Sequence, residues 1–284
     1  MHWIESLENR TLLSATLPRP DHVLVVVEEN HSYNQIIQEK DPSHLASTWA
    51  IVPQNLRATA PHINSLARHG ANLRQMFAET HPSQPNYLAL FSGSTQGVTS
   101  DATGSIFNGP SLGGQLHTAG LSFAGYSEDQ PTAGYLGDKY KDYARKHNPW
   151  SDFADVPQTD NQPFSAFPHD FNQLPTVSFV IPNQQHDMHS GPIRTADKWL
   201  DKKLRHYRHW ARKHNSLLIV TWDEGSGDNH IPTVFYGPMV KKGNYDQPVN
   251  HFNVLRTIED MYGLSPIGQS ATAEPITGIF KRVA

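Results

Sequence analysis

Oxygen-donor side chains follow two apolar runs of this sequence, at points where strands would end. They form two adjacent pairs, and histidines follow soon after further strand ends. Carboxylate and amide oxygens are the ligands that Mg, Ca and Mn prefer, whereas imidazole shifts the preference toward Zn, Mn or Fe. The sequence therefore predicts a site for a divalent metal cation whose identity it does not determine. The candidate oxygen ligands are Glu29, Asn30, Asp223 and Glu224, and the candidate histidines are His189 and His230.

Each of the two pairs also has a plain structural interpretation. Glu29 and Asn30 could cap the helix that follows them. Asp223 and Glu224 could form a solvated turn before Gly225. An acidic pair directly after an apolar strand nevertheless lies at the edge of the core, which favours a functional role.

The segment HPSQPNYLALFSG, residues 81–93, contains a candidate nucleophile. Ser83 precedes Pro85 and an apolar run, so it is placed either to cap a helix or to attack a substrate. The two roles are compatible, because a helix N-terminus also attracts phosphate. The G-x-S-x-G elbow of serine hydrolases is absent, since its nearest equivalent, GSTQG, has Thr95 at the centre. Neither the P-loop nor the dinucleotide-binding fingerprint is present.

The elements that must position these residues follow an alternating pattern from Asp21 onward. Short β-branched and aromatic runs alternate with helical stretches, which is typical of βαβ units and a mostly parallel sheet. In such a sheet, ligands bind beyond the carboxyl ends of the strands. Polar residues follow four of the predicted strands, so we expect them to converge on one active centre. The predicted strands are 22–27, 121–126, 176–181, 217–222 and 232–236.

Two helices and two long loops complete the predicted organisation. In 197–213, Leu200, Leu204, Tyr207 and Ala211 recur at helical spacing and predict one buried stripe. A second helix is predicted over 251–261. Residues 93–120 and 146–175 are rich in Gly, Pro, Ser, Asn and Asp, so we predict long loops there, which are usually functional.

Composition excludes several classes of protein. The formal charge is -4 at pH 7, which argues against a nucleic-acid-binding surface. The longest aliphatic runs are far shorter than the roughly 20 residues of a membrane helix, so no transmembrane segment is predicted. The chain has no Cys, which excludes disulfides and thiolate metal sites. Its 17 histidines would titrate near pH 6.5 and make the surface cationic in an acidic medium.

Residues 1–20 read as a tail or sorting segment in front of a single catalytic domain over 21–284. LENRTLLSA, residues 7–15, resembles the LExRxLLSA segment near the N-termini of many exported bacterial proteins. We therefore predict that the protein is exported to an extracellular or periplasmic location.

Seven segments together resemble the phosphoesterase family that groups acid phosphatases with bacterial phospholipases C, within the alkaline-phosphatase-like superfamily. They occur in the family's order over nearly the whole chain after residue 21, and they are closest to the small acid-phosphatase-like branch. The segments are EENHSYNQII, HPSQPNYLALFSG, YSEDQP, KHNPW, IPNQQHDMHSG, LLIVTWDEGSGDNHIPTVFYGP and HFNVLRTIEDMYGL.

The resemblance implies a three-layer α/β/α sandwich with a mostly parallel central sheet and metal-dependent hydrolysis of phosphate esters. The family's metal ligands map to Glu29, Asn30, Asp223 and Glu224, and its serine nucleophile maps to Ser83. Histidines that contact phosphate map to His189 and His230, and His81, Asn183 and His147 are expected to bind substrate. A variant with two metals would also use Asp187 and His189.

A phosphomonoesterase acting on a small phosphate ester is the leading functional prediction. A phospholipase C-like phosphodiesterase is the first alternative, and it would require an exposed apolar rim or a lipid-binding extension. A non-catalytic extracellular binding protein on the same scaffold is the second alternative. The sequence does not determine the oligomeric state.

Overall fold

A central eight-stranded sheet organises the residues that the computed structural model describes, which are 17–38 and 60–281. In chain order the described strands are β1 (His22–Glu28), β2 (Ala71–Leu73), β3 (Met76–Phe77), β4 (Phe123–Ser127), β5 (Lys139–Tyr140), β6 (Tyr143–Ala144), β7 (Asn161–Pro163), β8 (Val177–Ile181), β9 (Ser216–Trp222), β10 (Thr233–Tyr236), β11 (Gly243–Tyr245) and β12 (Val249–Asn250). The central sheet has the order β11-β2-β10-β9-β1-β8-β4-β7, while β3 pairs with β12 and β5 pairs with β6.

Most of this sheet is parallel, as the sequence predicts. β1 lies between β8 and β9 and runs parallel to both, and β4 and β7 continue in the same direction. Among the described strands of this sheet, β10 alone runs in the opposite direction. All five predicted strands are confirmed, with ends within two residues of the predicted bounds. The carboxyl ends of β1, β4, β8 and β9 therefore lie along one edge.

Helices cover both faces of the sheet and complete the three-layer sandwich. The described helices are α1 (Tyr33–Ile36), α2 (Pro61–His69), α3 (Ser83–Ser92), α4 (Leu112–Thr118), α5 (Ile193–Ala211) and α6 (His251–Tyr262). α3 packs on α4 and α6, and α2 packs on α5. Successive residues of a strand point to opposite faces. Accordingly Glu29 contacts Ser83 of α3, whereas burial and then the charge of Asp197 on α5 raise the pKa of Glu28.

Both predicted long helices are confirmed, with shifted ends. α5 buries the predicted stripe of Leu200, Leu204, Tyr207 and Ala211, but it begins at Ile193 because the carbonyl of Pro192 already accepts helical hydrogen bonds. The side chain of Asn250 caps the start of α6, and Gly263 is the C-cap directly after its last residue, Tyr262. Gly263 has the left-handed φ of 68° that favours glycine at this position.

The prediction of uninterrupted loops over 93–120 and 146–175 is wrong in part, because the first contains α4 and the second contains β7 and several short 3₁₀ turns. Gly113 and Gly114 lie within α4, and because glycine has a low helix propensity, the sequence does not predict a helix there. A Cβ atom at Gly113 would lie 2.9 Å from the Val156 side chain, and one at Gly114 would lie 2.0 Å from the Asp155 side chain. Close packing therefore requires glycine at these two positions, although glycine is unfavourable inside a helix.

The predicted export segment, residues 7–15, lies outside the described residues. Export therefore stays a prediction, as does the division into a tail over 1–20 and one domain over 21–284. Within 17–38 and 60–281, the structure contains no helix that is both long enough and apolar enough to cross a bilayer.

Glu259 links α6 to the segment that follows it. Its carboxylate accepts hydrogen bonds from Ser270 Oγ at 2.6 Å and from the Ile267 N–H at 3.0 Å. Burial is the largest influence on this group and raises its pKa from 4.5 to about 7. The folded protein therefore holds a proton here at pH values where the unfolded chain has released it.

We expect Glu259→Gln to flatten the dependence of stability on pH. Between pH 4.5 and about 7, the raised pKa makes the free energy of unfolding fall as pH increases, because the folded state binds more protons than the unfolded state. Glutamine resembles the protonated acid, so the variant should melt at a higher temperature than the natural protein above pH 7. Thermal unfolding measured from pH 5 to pH 8 checks this, and parallel curves for the two proteins would contradict it.

Candidate active site

Ser83 is the first residue of α3 and faces two carboxylates. Pro82 occupies the N-cap position of this helix and makes no side-chain capping bond. The Ser83 Oγ donates to Glu29 Oε2 at 3.1 Å, with Glu224 Oε1 at 3.4 Å. The Ser83 hydroxyl therefore lies among carboxylates and does not occupy the predicted capping position.

Glu29 connects several elements at the carboxyl end of β1. Its Oε1 accepts a 2.5 Å hydrogen bond from the Tyr87 hydroxyl, and its backbone N–H donates to the Asp187 carbonyl at 2.7 Å. Burial raises the pKa of Glu29 strongly, and the charge of Asp187 raises it further. Hydrogen bonds from Tyr87 and Ser83 act in the opposite direction. The carboxylate is therefore buried next to another acid, an arrangement that a cation would stabilise.

Glu29, His147 and Asp187 form a buried cluster whose potential ligand atoms all lie within 4.8 Å of one another. His147 Nε2 is 3.2 Å from Glu29 Oε1, and His147 Nδ1 is 3.7 Å from Asp187 Oδ2. Burial, followed by the charge of Lys146, lowers the pKa of His147 strongly. The imidazole is therefore neutral at pH 7, which is the form that binds metal.

Strand register brings the second acidic pair to the same place. Glu28 and Trp222 are paired across β1 and β9, and the Asp223 N–H donates to the Glu28 carbonyl at 3.0 Å. Asp223 Oδ1 in turn accepts from the Asn30 N–H at 3.2 Å. Burial is the main cause of the raised pKa of Asp223, and the charge of Glu29 adds to it.

Several buried polar atoms of these residues have no hydrogen-bond partner among the described residues. A buried polar atom without a partner costs about 1–3 kcal/mol, and a bound cation would satisfy a group of such oxygen and nitrogen atoms that lie together. The residues consequently fit a divalent cation that Glu29, Asp187, His147, Asp223 and Asn30 would hold. The atoms without partners are Asn30 Oδ1, His147 Nε2, Asp187 Oδ2 and Asp223 Oδ2.

Glu224 connects Ser83 to the surface. Its Oε2 lies 2.6 Å from His81 Nδ1, and its other oxygen faces Ser83. The Glu224 side chain is 10% exposed, whereas that of His81 is 49% exposed. A proton leaving Ser83 therefore has a short path through a carboxylate to an imidazole that meets solvent.

His189 and a Lys146–Asp101 ion pair lie beside the carboxylate cluster. The His189 N–H donates to Asp187 Oδ1 at 2.8 Å, and the His189 ring lies 6.3 Å from the His147 ring. Lys146 Nζ binds Asp101 Oδ2 at 2.7 Å, while Asp101 Oδ1 accepts from the Gln84 N–H beside Ser83. This arrangement suits the binding of an anion in front of the serine.

Comparison with known proteins agrees with this geometry. The sequence profile of the phosphoesterase family matches residues 53–265. The chain belongs to this family. A phosphatidylinositol-3-phosphatase of Mycobacterium tuberculosis is 47% identical over 98% of the chain and 89% of the relative. A phosphate-repressible acid phosphatase of Penicillium chrysogenum is 31% identical over 73% of the chain, which spans 56% of that longer protein. The chain is therefore a hydrolase of the phosphatase type.

Solved structures confirm the alkaline-phosphatase-like fold of this phosphoesterase. A Vibrio parahaemolyticus protein of the alkaline phosphatase superfamily superposes with a TM-score of 0.58, at 13% identity over 95% of the chain and 72% of that protein. A lipoteichoic acid synthase from Listeria monocytogenes reaches 0.63, at 10% identity over 94% of the chain and 78% of that protein.

Two predicted site residues of the phosphoesterase, His230 and Asn183, make their contacts outside the carboxylate cluster. The His230 ring stacks between Tyr33 and Phe77, and its Nε2 lies 2.7 Å from the Arg74 carbonyl oxygen. Asn183 instead orders the loop after β8, because its Oδ1 accepts backbone N–H groups of that loop and its Nδ2 donates to Asp129. These contacts describe packing and loop structure, so they do not support roles in catalysis or substrate binding.

Other residues gain roles that the sequence does not reveal. In the sequence Tyr87 is only one member of an apolar helix, yet its hydroxyl binds Glu29. His147 is predicted to bind substrate, but it is 1% exposed and lies among the carboxylates, which suits a metal ligand better. The sequence predicts Asp187 as a ligand only in a variant with two metals. Its place in the polar segment that follows β8, between His186 and His189, is the available signal.

We expect Glu29→Gln to weaken divalent-metal binding at least about tenfold, because changes even to partners of metal ligands cost 10–100-fold in affinity. Titration calorimetry of chelator-treated protein with Mg, Mn, Ca and Zn measures this. Glu259→Gln is the matched control, since it makes the same change in a buried carboxylate near the other end of α3. Equal affinities for the two variants would show that Glu29 does not hold the cation.

Proposed function

We propose that this phosphatase is a metal-dependent phosphomonoesterase in which Ser83 is the nucleophile. One observation carries the proposal: Ser83 Oγ lies 3.1 Å from Glu29 Oε2 and 3.4 Å from Glu224 Oε1, at the start of α3. A hydroxyl in this position is hydrogen-bonded to potential proton acceptors and stands beside a cluster suited to a cation.

The buried cluster would hold the cation, and Ser83 would supply the attacking hydroxyl. Glu29, Asp187, His147, Asp223 and Asn30 would hold the cation. The oxygens of Glu224, which the sequence predicts as a further ligand, face His81 and Ser83 instead. A bound divalent cation lowers the pKa of a coordinated hydroxyl and neutralises charge on a phosphoryl oxygen.

Side chains of the site and solvent then carry out each bond change and each proton transfer. Ser83 Oγ forms a bond to phosphorus and its proton passes to Glu224, which His81 orients. The bond from phosphorus to the ester oxygen breaks, and the alcohol leaves with a proton taken from solvent, to which His189 is exposed at this side of the site. Lys146 balances the charge on the phosphoryl oxygens. Water then attacks the phosphoserine, which releases inorganic phosphate and restores the serine.

The relatives favour phosphate monoesters as substrates. The mycobacterial relative is named for a lipid phosphate monoester, and the fungal relatives are named acid phosphatases. We therefore propose that the substrates include monoesters carried by lipids as well as soluble ones. The phosphodiesterase alternative is tested by the same assays, and an exported location remains part of the proposal.

We expect Ser83→Ala to lower kcat for an aryl phosphomonoester by at least about 10³-fold while metal binding persists, since the nucleophile is lost and the ligands remain. Ser92→Ala is the matched control, because Ser92 lies on the same helix and its Oγ donates to the Leu88 carbonyl. Steady-state kinetics of both variants, from pH 5 to pH 8, measure the effect.

Acid-quenched enzyme should carry one phosphate on Ser83, detected by mass spectrometry, and chelator treatment should abolish turnover until a divalent ion is restored. Retention of most activity in Ser83→Ala would exclude the serine mechanism. Faster hydrolysis of the matching aryl phosphodiester would instead favour the phosphodiesterase.

A further inference from the structure

A buried histidine and a glutamate join two parts of the chain that carry site residues. His251 is the first residue of α6, and its side chain is 1% exposed. Its backbone N–H donates to Glu79 Oε1 at 3.0 Å, and its Nδ1 lies 2.5 Å from Glu79 Oε2. Its Nε2 lies 2.9 Å from the Trp222 carbonyl oxygen. All three nitrogen atoms of His251 therefore have partners, and the ring is held between the segment before α3 and the end of β9.

The partners of the His251 ring are both hydrogen-bond acceptors. A carbonyl oxygen only accepts, so Nε2 carries a hydrogen, and an ionised carboxylate at Nδ1 also only accepts. Burial disfavours the charged ring, but the charge and the hydrogen bond of Glu79 act against burial, and the pKa of His251 is raised. The contact with Glu79 is therefore a charge-assisted hydrogen bond, which is stronger than a neutral one.

The segment that begins at Glu79 carries His81 and Ser83, two residues of the proposed proton path. The fully buried Asn86 holds this segment, because its side chain makes hydrogen bonds to backbone groups throughout residues 79–82. Asn86 lies in the first turn of α3, as Ser83 does. A displacement of Glu79 would therefore displace Ser83 as well.

The end of β9 carries the acidic pair of the site. Trp222 is the last residue of β9, and Asp223 and Glu224 follow it directly. A second tie to the Ser83 segment lies beyond this pair, where Asn229 Nδ2 donates to the Thr80 carbonyl at 2.9 Å. Two ties, one on each side of Asp223 and Glu224 in the chain, thus hold the end of β9 against the segment that carries Ser83.

We propose that His251 and Glu79 are positioning residues for the reaction, which set the distance between Ser83 and the acidic pair after β9. Glu224 Oε1 is 3.4 Å from Ser83 Oγ, near the upper limit for a hydrogen bond, so a small displacement separates the serine from its proton acceptor. This inference rests on the proposed function, in which Glu224 receives the proton of Ser83. A merely structural pair would stabilise the fold but leave kcat of the folded enzyme unchanged.

Two substitutions of His251 separate its two side-chain ties. The amide nitrogen of glutamine takes about the place of Nε2, so His251→Gln can keep the bond to Trp222 but loses the bond to Glu79. The amide nitrogen of asparagine takes about the place of Nδ1, so His251→Asn does the reverse. We expect each variant to lower kcat for an aryl phosphomonoester at saturating metal by about 100-fold with little change in KM, because a misplacement of about 1 Å can have this effect.

Substitutions of Glu79 test the same tie from its other end. Glu79→Ala removes both acceptors and should lower kcat as the His251 variants do. In Glu79→Gln, the amide can accept from the His251 N–H and donate to a neutral Nδ1, so the geometry persists and kcat should stay close to that of the natural protein. His117→Gln is the matched control, because His117 Nε2 lies 2.5 Å from Asp160 at the opposite end of the strands, before β4 and β7.

Metal titration by calorimetry gives a readout that does not depend on the serine. His251→Asn releases the end of β9 and should weaken divalent-metal binding about tenfold, as the loss of outer contacts to metal sites does, whereas His251→Gln should not. If Ser83→Ala retained activity, the proposed function would fail, while this difference in metal affinity would still support the positioning of Asp223.

Thermal unfolding of each variant establishes that it is folded at the assay temperature. Unchanged kcat in the folded His251 variants would overturn the proposal. If those variants do not fold, the two Glu79 variants decide: a loss in Glu79→Ala that Glu79→Gln restores supports positioning, and equal activities in the two overturn it. An equal loss of kcat in His117→Gln would also overturn it, since the effect would then not depend on contact with the site.

Discussion

Burial of the Glu29 carboxylate at the end of β1 governs the arrangement of the whole site. An ionised carboxylate away from water must be paired, hydrogen-bonded or bound to a metal. Here Ser83 and Tyr87 from α3 supply hydrogen bonds, and His147 lies within 3.2 Å. The placement of Ser83 and Tyr87 on α3 therefore follows from the need to surround this one group.

The acidic neighbours of Glu29 make the site unfavourable without a cation. Asp187 and Asp223 are both buried, and burial followed by other charges raises the pKa of each. The fold offsets this cost through contacts that lie outside the chemistry. For example, the buried His251 ring binds Glu79 at 2.5 Å and the Trp222 carbonyl at 2.9 Å, which fixes the end of β9 directly before Asp223. The scaffold therefore maintains an unfavourable charge arrangement that metal binding would relieve.

Local sequence patterns were sufficient to predict the strands, their direction and the residues at their ends. Apolar runs show where the strands end. Because parallel strands end at the same edge of a sheet, the order of residues alone assigns four side chains to that edge, namely Glu29, Asn30, Asp223 and Glu224. Ser83 can be assigned to a helix start for the same reason. The resemblance to a family then assigns the chemistry.

Tertiary packing was needed to establish which distant side chains share the cluster. His147 and His230 are similar in sequence terms, since each lies in a polar loop. In the folded protein, His147 lies among the carboxylates. The His230 ring instead stacks between Tyr33 and Phe77. Likewise, the sequence predicts that Asn183 binds substrate, but its Oδ1 accepts hydrogen bonds from backbone N–H groups of its own loop. The positions of both histidines depend on contacts between residues far apart in the chain, which no local pattern records.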